Sequence, residues 1–337
     1  MAAALAFHPV DAVPLAYHPS PRGFYEHGEK LRVLFHSLPD DLGTEFTAPL
    51  PVPPPGAVNW RGEYRECITD EWGVEWDCRI FKIMGHPSKR PLDDIAALKE
   101  FRLPVNSHDV PAKLERAKRE IAVRKDSGFY AVAWVGGLFE RLIALRRFED
   151  VLMDIADDTP EIHALADMVC DYYAKEAAFW VEAGVDALRF GDDYGTQDSL
   201  ILSHGNWRAF IKPRLTQMLA PAKIAGKKVL FHSCGQVGAI LGDLKEAGAD
   251  SLWTQLSVYN QHDLGARCRD IGLAVEIHID RAGVMTRGTP DDVRAAVAFA
   301  MDAFRPLDGG AWFYVEIDNR FPFKNIEALI EAIRLYR

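Results

Sequence analysis

Two hydrophobic rhythms divide this chain near residue 129. Beyond that point short, mostly apolar runs, several of them wholly so, alternate with longer stretches whose apolar residues recur every three or four positions. The runs 129–134, 184–190, 228–232, 249–254, 273–279 and 311–317 read as strands buried on both faces. The stretches between them read as amphipathic helices, among them 237–247, 290–304, 323–336 and a long one ending near residue 183. Before residue 129 the pattern is more broken. Residues 11–18 form one further strand, a helix passes through Leu31 and Leu34, and the prolines of 48–56 (APLPVPPPG) forbid regular structure there. The runs 60–68 and 72–84 alternate as the arms of a hairpin do, and helices follow at 91–101 and 111–124.

Strands that alternate with helices and are apolar on both faces predict a parallel sheet covered by helices. Seven such strands are clear, and an eighth within 57–90 or after residue 255 completes a (β/α)8 TIM-type barrel. A doubly wound open sheet is the alternative. The barrel is favoured because polar residues gather at nearly every strand end: Tyr17 and His18, Trp134, Asp192 and Asp193, His232 and Cys234, Gln255, Glu276 and His278, Glu316 and Asp318. In an open sheet only the strands beside the switch point do this. In a barrel every strand end faces one pocket. The chain thus reads as a single α/β barrel domain over 1–337, with an inserted subregion at 48–125 that carries the Pro-rich loop, the hairpin and helices.

Composition narrows the function. Hydrophobic residues make up 48% of the chain, enough for a sizeable core, and the net charge of −10 disfavours nucleic acid and anionic membranes as partners. No apolar run is long enough to span a bilayer, and the N-terminus lacks the basic start of a signal peptide, so a cytoplasmic protein is expected. Five scattered cysteines do not form a disulfide framework. GGLFER and GDDYG fit neither a dinucleotide nor a P-loop fingerprint.

The sharpest chemical feature is His-Ser-Cys at 232–234, at the end of a strand. Two residues apart on an extended chain means one face, and imidazole with thiolate is a zinc pair. The bland reading is a core cysteine beside a hydrogen-bonded histidine. A catalytic zinc needs a third ligand from another strand end: Glu316 in WFYVEID is the choice, with His278 and Glu276 in VEIHID as rivals. Asp192 and Asp193 are candidates for acid–base work, though neighbours on a strand face opposite ways and only one of them should look into the pocket. Their alternative role is to cap a turn or helix. Tyr17, His18, Arg22, Trp134, Tyr194, Gln255 and His278 are the candidates to shape the pocket and hold a substrate.

Together GDDYGTQDSLILSHGNWRAFIKPRL, FHSCGQ, GTPDDVRAAV, VEIDNRFPFKNIEALIEA, DEWGVEW and PLDDIAALKEFRLP resemble the uroporphyrinogen decarboxylase superfamily, over nearly the whole chain. Within it the chain looks more like the corrinoid-dependent methyltransferase branch. That resemblance implies a (β/α)8 barrel, zinc at the barrel mouth, and a corrinoid that carries the methyl group. The family motif is His-x-Cys followed by a distant Cys. His232 and Cys234 match its first part, but no cysteine follows Cys268, and Glu316 stands where the third thiolate is expected. An oxygen-richer His/Cys/Glu site suits a Lewis acid acting on an ether oxygen. The resemblance therefore implies methyl transfer from a small methylated compound, an aryl methyl ether, to a corrinoid on a partner protein. A homodimer through the barrel exterior is compatible with it. The alternative within the fold is a metal-independent decarboxylase or lyase of a small or tetrapyrrole acid. The true decarboxylases imply an arginine-rich first loop, and here YHPSPRG holds a single arginine, Arg22.

Overall fold

The computed structural model describes residues 1–18, 20–44 and 49–337. Among them are ten strands: β1 (Leu15–His18), β2 (Glu66–Thr69), β3 (Glu75–Cys78), β4 (His86–Lys89), β5 (Val132–Gly136), β6 (Ala187–Gly191), β7 (Lys228–His232), β8 (Ser251–Trp253), β9 (Ala274–Ile277) and β10 (Ala311–Glu316). Seven form a parallel sheet in the order β1-β10-β9-β8-β7-β6-β5. They are the seven strands expected from the apolar runs. From β5 to β10 each strand pairs with its successor in the chain, and β10 pairs with β1. That order has no switch point, which removes the doubly wound alternative.

The sheet curls until its two edges meet at one residue. The Asp41 N–H donates to the Leu15 carbonyl at 2.9 Å, and the Asp41 carbonyl accepts from the Tyr130 N–H at 3.0 Å. The Asp41 carboxylate also accepts from the Leu15 N–H at 2.7 Å and from Arg337 at 2.6 Å. The eighth strand expected within 57–90 or after residue 255 is not found there. Strands β2, β3 and β4 pair antiparallel with one another as a separate sheet, and after residue 255 the parallel strands are the two already counted. The alternating pattern of 60–84 specified a hairpin, but a hairpin's antiparallel partners satisfy its own backbone groups and leave it out of a parallel ladder. The first residue of the expected inserted subregion, Ala48, and Pro19 of the first loop lie outside the described residues.

Side chains along the strands alternate between two cores. Ala16, Ala187, Leu230, Ala274, Trp312 and Tyr314 pack inside the curl, and residues 2–5 of the N-terminal helix Ala2–Leu5 add Ala4 and Leu5 to that layer. Their neighbours Leu15, Tyr17, Leu188, Phe190, Phe313 and Val315 face outward to the helices. The period of two along each strand produces this division. At the centre of the inner layer Arg189 and Glu276 form a buried bidentate ion pair at 3.2 and 2.7 Å, and Ser251 Oγ donates to the same carboxylate at 3.0 Å. Glu276, a rival for the third metal ligand, is thus fully buried one layer below the mouth.

The helix signals in the sequence act locally. Thr159 caps Pro160–Ala183, whose first residue is proline, and Gly184 ends it at φ 98°. The expected continuous helix up to residue 183 is three helices, Leu138–Leu145, Phe148–Ala156 and Pro160–Ala183. The expected helix 91–101 is only a 3-10 turn, Ile95–Lys99, capped by Asp94. Pro290–Phe304 opens with a capping box: Thr289 Oγ1 accepts from the Asp292 N–H at 3.3 Å, and Asp292 accepts from the Thr289 N–H at 2.7 Å. Thr289→Ala is expected to lower the unfolding free energy by about 1 kcal/mol, read as a lower urea midpoint at unchanged slope.

Candidate metal centre and substrate cavity

The end of β7 and the turn after β6 build one cluster. Their register sets Gly191 opposite His232, so the chain leaving β6 runs past the imidazole, with the Asp192 N–H on the His232 carbonyl at 3.1 Å. Asp193 turns its carboxylate toward β7. Its Oδ1 lies 3.1 Å from His232 Nε2 and accepts from the Cys234 N–H at 2.9 Å. Cys234 Sγ is 3.6 Å from His232 Nε2. The two loops approach backbone to backbone: Gly235 has φ +74°, and a Cβ there would lie 2.3 Å from the Gly195 carbonyl oxygen. Among the described residues, Asp193, His232 and Cys234 are the group whose ligand atoms all lie within 4.8 Å of one another.

This donor set fits zinc. Bonds of roughly 2.0–2.3 Å in a tetrahedron separate neighbouring ligand atoms by about 3.3–3.8 Å, close to the spacings here. The other ring nitrogen of His232, Nδ1, lies 3.1 Å from the Trp253 carbonyl oxygen, and the ring packs on Trp253 with centroids 4.0 Å apart. A carbonyl that takes the Nδ1 proton leaves Nε2 as the free donor, the arrangement that orients metal-binding histidines. Without a metal the charges hold one another. Burial alone would lower the His232 pKa, but hydrogen bonds to Asp193 and Cys234 outweigh it and raise it to about 10. Burial likewise works against the Asp193 carboxylate, and His232 with the Cys234 N–H reverse that and hold its pKa low. A metal must therefore displace a proton from His232, which makes its affinity rise with pH.

Asp192 faces the other way, as the alternation of a strand requires. It is 1% exposed and accepts from the N–H groups of Phe139 and Glu140, both at 2.8 Å, and from the Tyr194 hydroxyl at 2.9 Å. It caps the helix Leu138–Leu145, a different helix from the one that follows it in sequence. Burial raises its pKa to about 6 against those hydrogen bonds. Gly137 permits this docking, because a Cβ there would sit 1.7 Å from the Gly191 carbonyl oxygen.

The other sequence candidates spread over several places. Glu316, expected as the third ligand, ends β10 beside His18, 3.7 Å from its Nε2, and lies outside the triad. Tyr17 points outward: it is 3% exposed, stacks on Phe35 and donates to the Leu38 carbonyl at 2.8 Å. Alternation puts Ala16 and His18 on the inner side instead. Tyr194 is buried among Phe139, Trp207 and Phe231. Arg22 pairs with Glu26 at 2.8 Å, and Gln255 with Gln197. His278 is half-buried, with its pKa pushed down to about 3, mainly by desolvation of the ring, and with Nδ1 3.2 Å from the Tyr314 carbonyl oxygen.

Trp134 does reach a pocket. Its ring tip meets the Cα face of Gly191, 2.9 Å from where a Cβ would lie, next to His232. From there a cavity of about 800 Å³ opens between the small antiparallel sheet and the helices Leu138–Leu145 and Pro160–Ala183. Trp72, Trp76, Trp134 and Tyr173 supply its aromatic walls, and Glu140 and Arg141 face it from the helix. Arg141 is held over Trp72 and bonded to Tyr173 and Asp70. Sequence reading missed Glu140. Its signal was an acid in the first turn of a helix that starts directly after a Gly-Gly strand end.

The uroporphyrinogen decarboxylase family model matches residues 87–336. Uroporphyrinogen decarboxylase of Thermus thermophilus is 25% identical over 198 residues, 56% of this chain and 55% of that protein. Methylcobamide:CoM methyltransferase MtaA of Methanosarcina barkeri is 26% identical over 160 residues, 45% of this chain and 42% of that protein. The chain spans about half the length of the curated relatives it matches. A methyltransferase from Methanosarcina mazei has the same fold, with a TM-score of 0.62 at 20% identity over 99% of this chain and 97% of that one.

Proposed function

The chain belongs to the uroporphyrinogen decarboxylase family, and from that premise we propose that it is a zinc-dependent methyltransferase. It takes a methyl group from a small methylated substrate, an aryl methyl ether, and passes it to a corrinoid held by a partner protein. The observation that carries this reading is the triad of Asp193, His232 and Cys234 with His232 Nδ1 anchored on the Trp253 carbonyl. Three protein ligands leave one position open, as in catalytic zinc sites. Bound there, zinc supplies Lewis acidity to the leaving heteroatom of the donor.

The chain's own residues do the rest. Asp193 takes the place of the third thiolate of the family motif and keeps the donor set oxygen-rich, which suits an oxygen leaving group. The tryptophan walls of the cavity give an aromatic donor large apolar surfaces. Residues 48–125 act as the inserted subregion whose small sheet forms the cavity's outer wall, and residues near Asp41 take the eighth place of the barrel. The decarboxylase alternative is weakened by Arg22: the single arginine of the first loop is already paired with Glu26. No described helix is long and apolar enough to cross a membrane, in keeping with a cytoplasmic enzyme that meets a corrinoid protein.

The test is metal content with activity. Protein prepared with zinc is expected to hold about one ion per chain, to lose it on dialysis against a chelator, and to transfer methyl from methoxybenzene to cob(I)alamin only when loaded. Metal-free protein that decarboxylates a porphyrinogen acid overturns the proposal.

A further inference from the structure

The methyl-transfer reading leaves Glu140 without a task. Glu140 lines the cavity, and among the described residues its carboxyl makes no hydrogen bond or ion pair. Its backbone is fixed firmly, because its N–H and that of Phe139 grip Asp192, the neighbour of the proposed ligand Asp193. The free, solvent-exposed carboxyl of a firmly held residue thus lines the cavity beside its aromatic walls, on the helix whose first N–H groups bind the neighbour of Asp193.

We propose that Glu140 is the proton donor to the leaving oxygen of the methyl donor. The inference rests on the methyl-transfer reading. The ether C–O bond breaks. The methyl carbon bonds to the Co(I) corrinoid, which supplies the electron pair. The ether oxygen keeps the pair of the broken bond and takes the proton of Glu140. Glu140 becomes a carboxylate and is reprotonated by water entering the cavity.

Of the cavity's other acids, Asp70 is bonded to Arg141 and Glu176 to the Ser107 N–H, while Glu71 is unpaired among the described residues but lies in the turn between β2 and β3, whereas Glu140 is on the helix that Asp192 caps. The acids at the strand ends are committed. Asp192 is saturated by two N–H groups and the Tyr194 hydroxyl. Asp193 is held by His232 and the Cys234 N–H. Glu316 sits with His18 and does not line this cavity.

The test compares zinc-loaded wild type and Glu140→Gln, with cob(I)alamin as acceptor and two methyl donors. Methoxybenzene has a poor leaving group that needs a proton; 4-methoxybenzonitrile has a better one that needs it less. Glu140→Gln is expected to keep its zinc and melting temperature, to slow methoxybenzene by about 10²–10⁴-fold, and to slow the nitrile by under about 10-fold. Equal loss on both donors, no loss on either, or loss of zinc in the variant overturns the role of Glu140 while wild-type methyl transfer stands. A zinc-loaded wild type that demethylates neither ether overturns the parent reading, and this inference with it.

Discussion

Cys234→Ser is expected to leave the purified protein with less than about a tenth of the wild-type zinc and with no measurable methyl transfer. Serine keeps the shape of the half-buried side chain, so the fold should survive with a melting temperature close to wild type. It does not keep the thiolate, and a serine hydroxyl stays protonated at neutral pH. Loss of partners that merely orient ligands costs about 10–100-fold in metal affinity, and loss of a ligand should exceed that. Asp193→Ala is expected to act the same way, because it removes both an oxygen ligand and the counter-charge of His232. Glu316→Gln is the contrast. With Glu316 on His18 and outside the triad, that variant should keep about one zinc per chain by mass spectrometry. Zinc lost in Glu316→Gln but retained in Asp193→Ala would reverse the assignment.

Glu276→Ala is expected to destabilise the fold by about 3–5 kcal/mol, the usual cost of breaking a buried pair from one side. The reason is what stays behind. Arg189 lies at the centre of the inner core under Tyr314 and Trp253, and a guanidinium cannot shed its charge. Ser251 loses its acceptor as well. Replacing both partners with apolar residues, as in Arg189→Met with Glu276→Leu, should recover most of the loss, because no unpaired charge remains. Urea denaturation of the two variants checks this; a single variant no less stable than the double would show that the pair carries no such penalty.

The strands were legible because burial on both faces leaves mostly apolar runs, and six of the seven parallel strands follow from them, with β1 read from the shorter segment 11–18. The pairing of His232 with Cys234 was legible for the same local reason, a shared face. So was the opposite facing of Asp192 and Asp193. What sequence could not give was which of two alternating faces turned inward. Ala16, Tyr17 and His18 fix a period, not its phase, and Tyr17 lies on the outer side. The third member of the triad depends on strand register, since Gly191 set opposite His232 is what carries Asp193 to the imidazole. Glu276 and Glu316 both stand at strand ends in sequence, yet one is consumed by Arg189 and the other by His18. Those partners are distant along the chain, and local pattern carries no sign of them.

Asp41 gives this curled sheet a seam. Elsewhere around the wall neighbouring strands are joined by ladders, but between β1 and β5 the link runs through the two backbone bonds of a single residue, backed by its carboxylate and the C-terminal Arg337. Opening the wall at that point breaks few bonds, whereas opening it between β6 and β7 breaks a full ladder. Native-state breathing therefore concentrates at the seam. His232 ends β7, which is two strands in from the β5 edge and laddered to β6 and β8 on its two sides, and so it keeps its geometry while the seam parts and recloses.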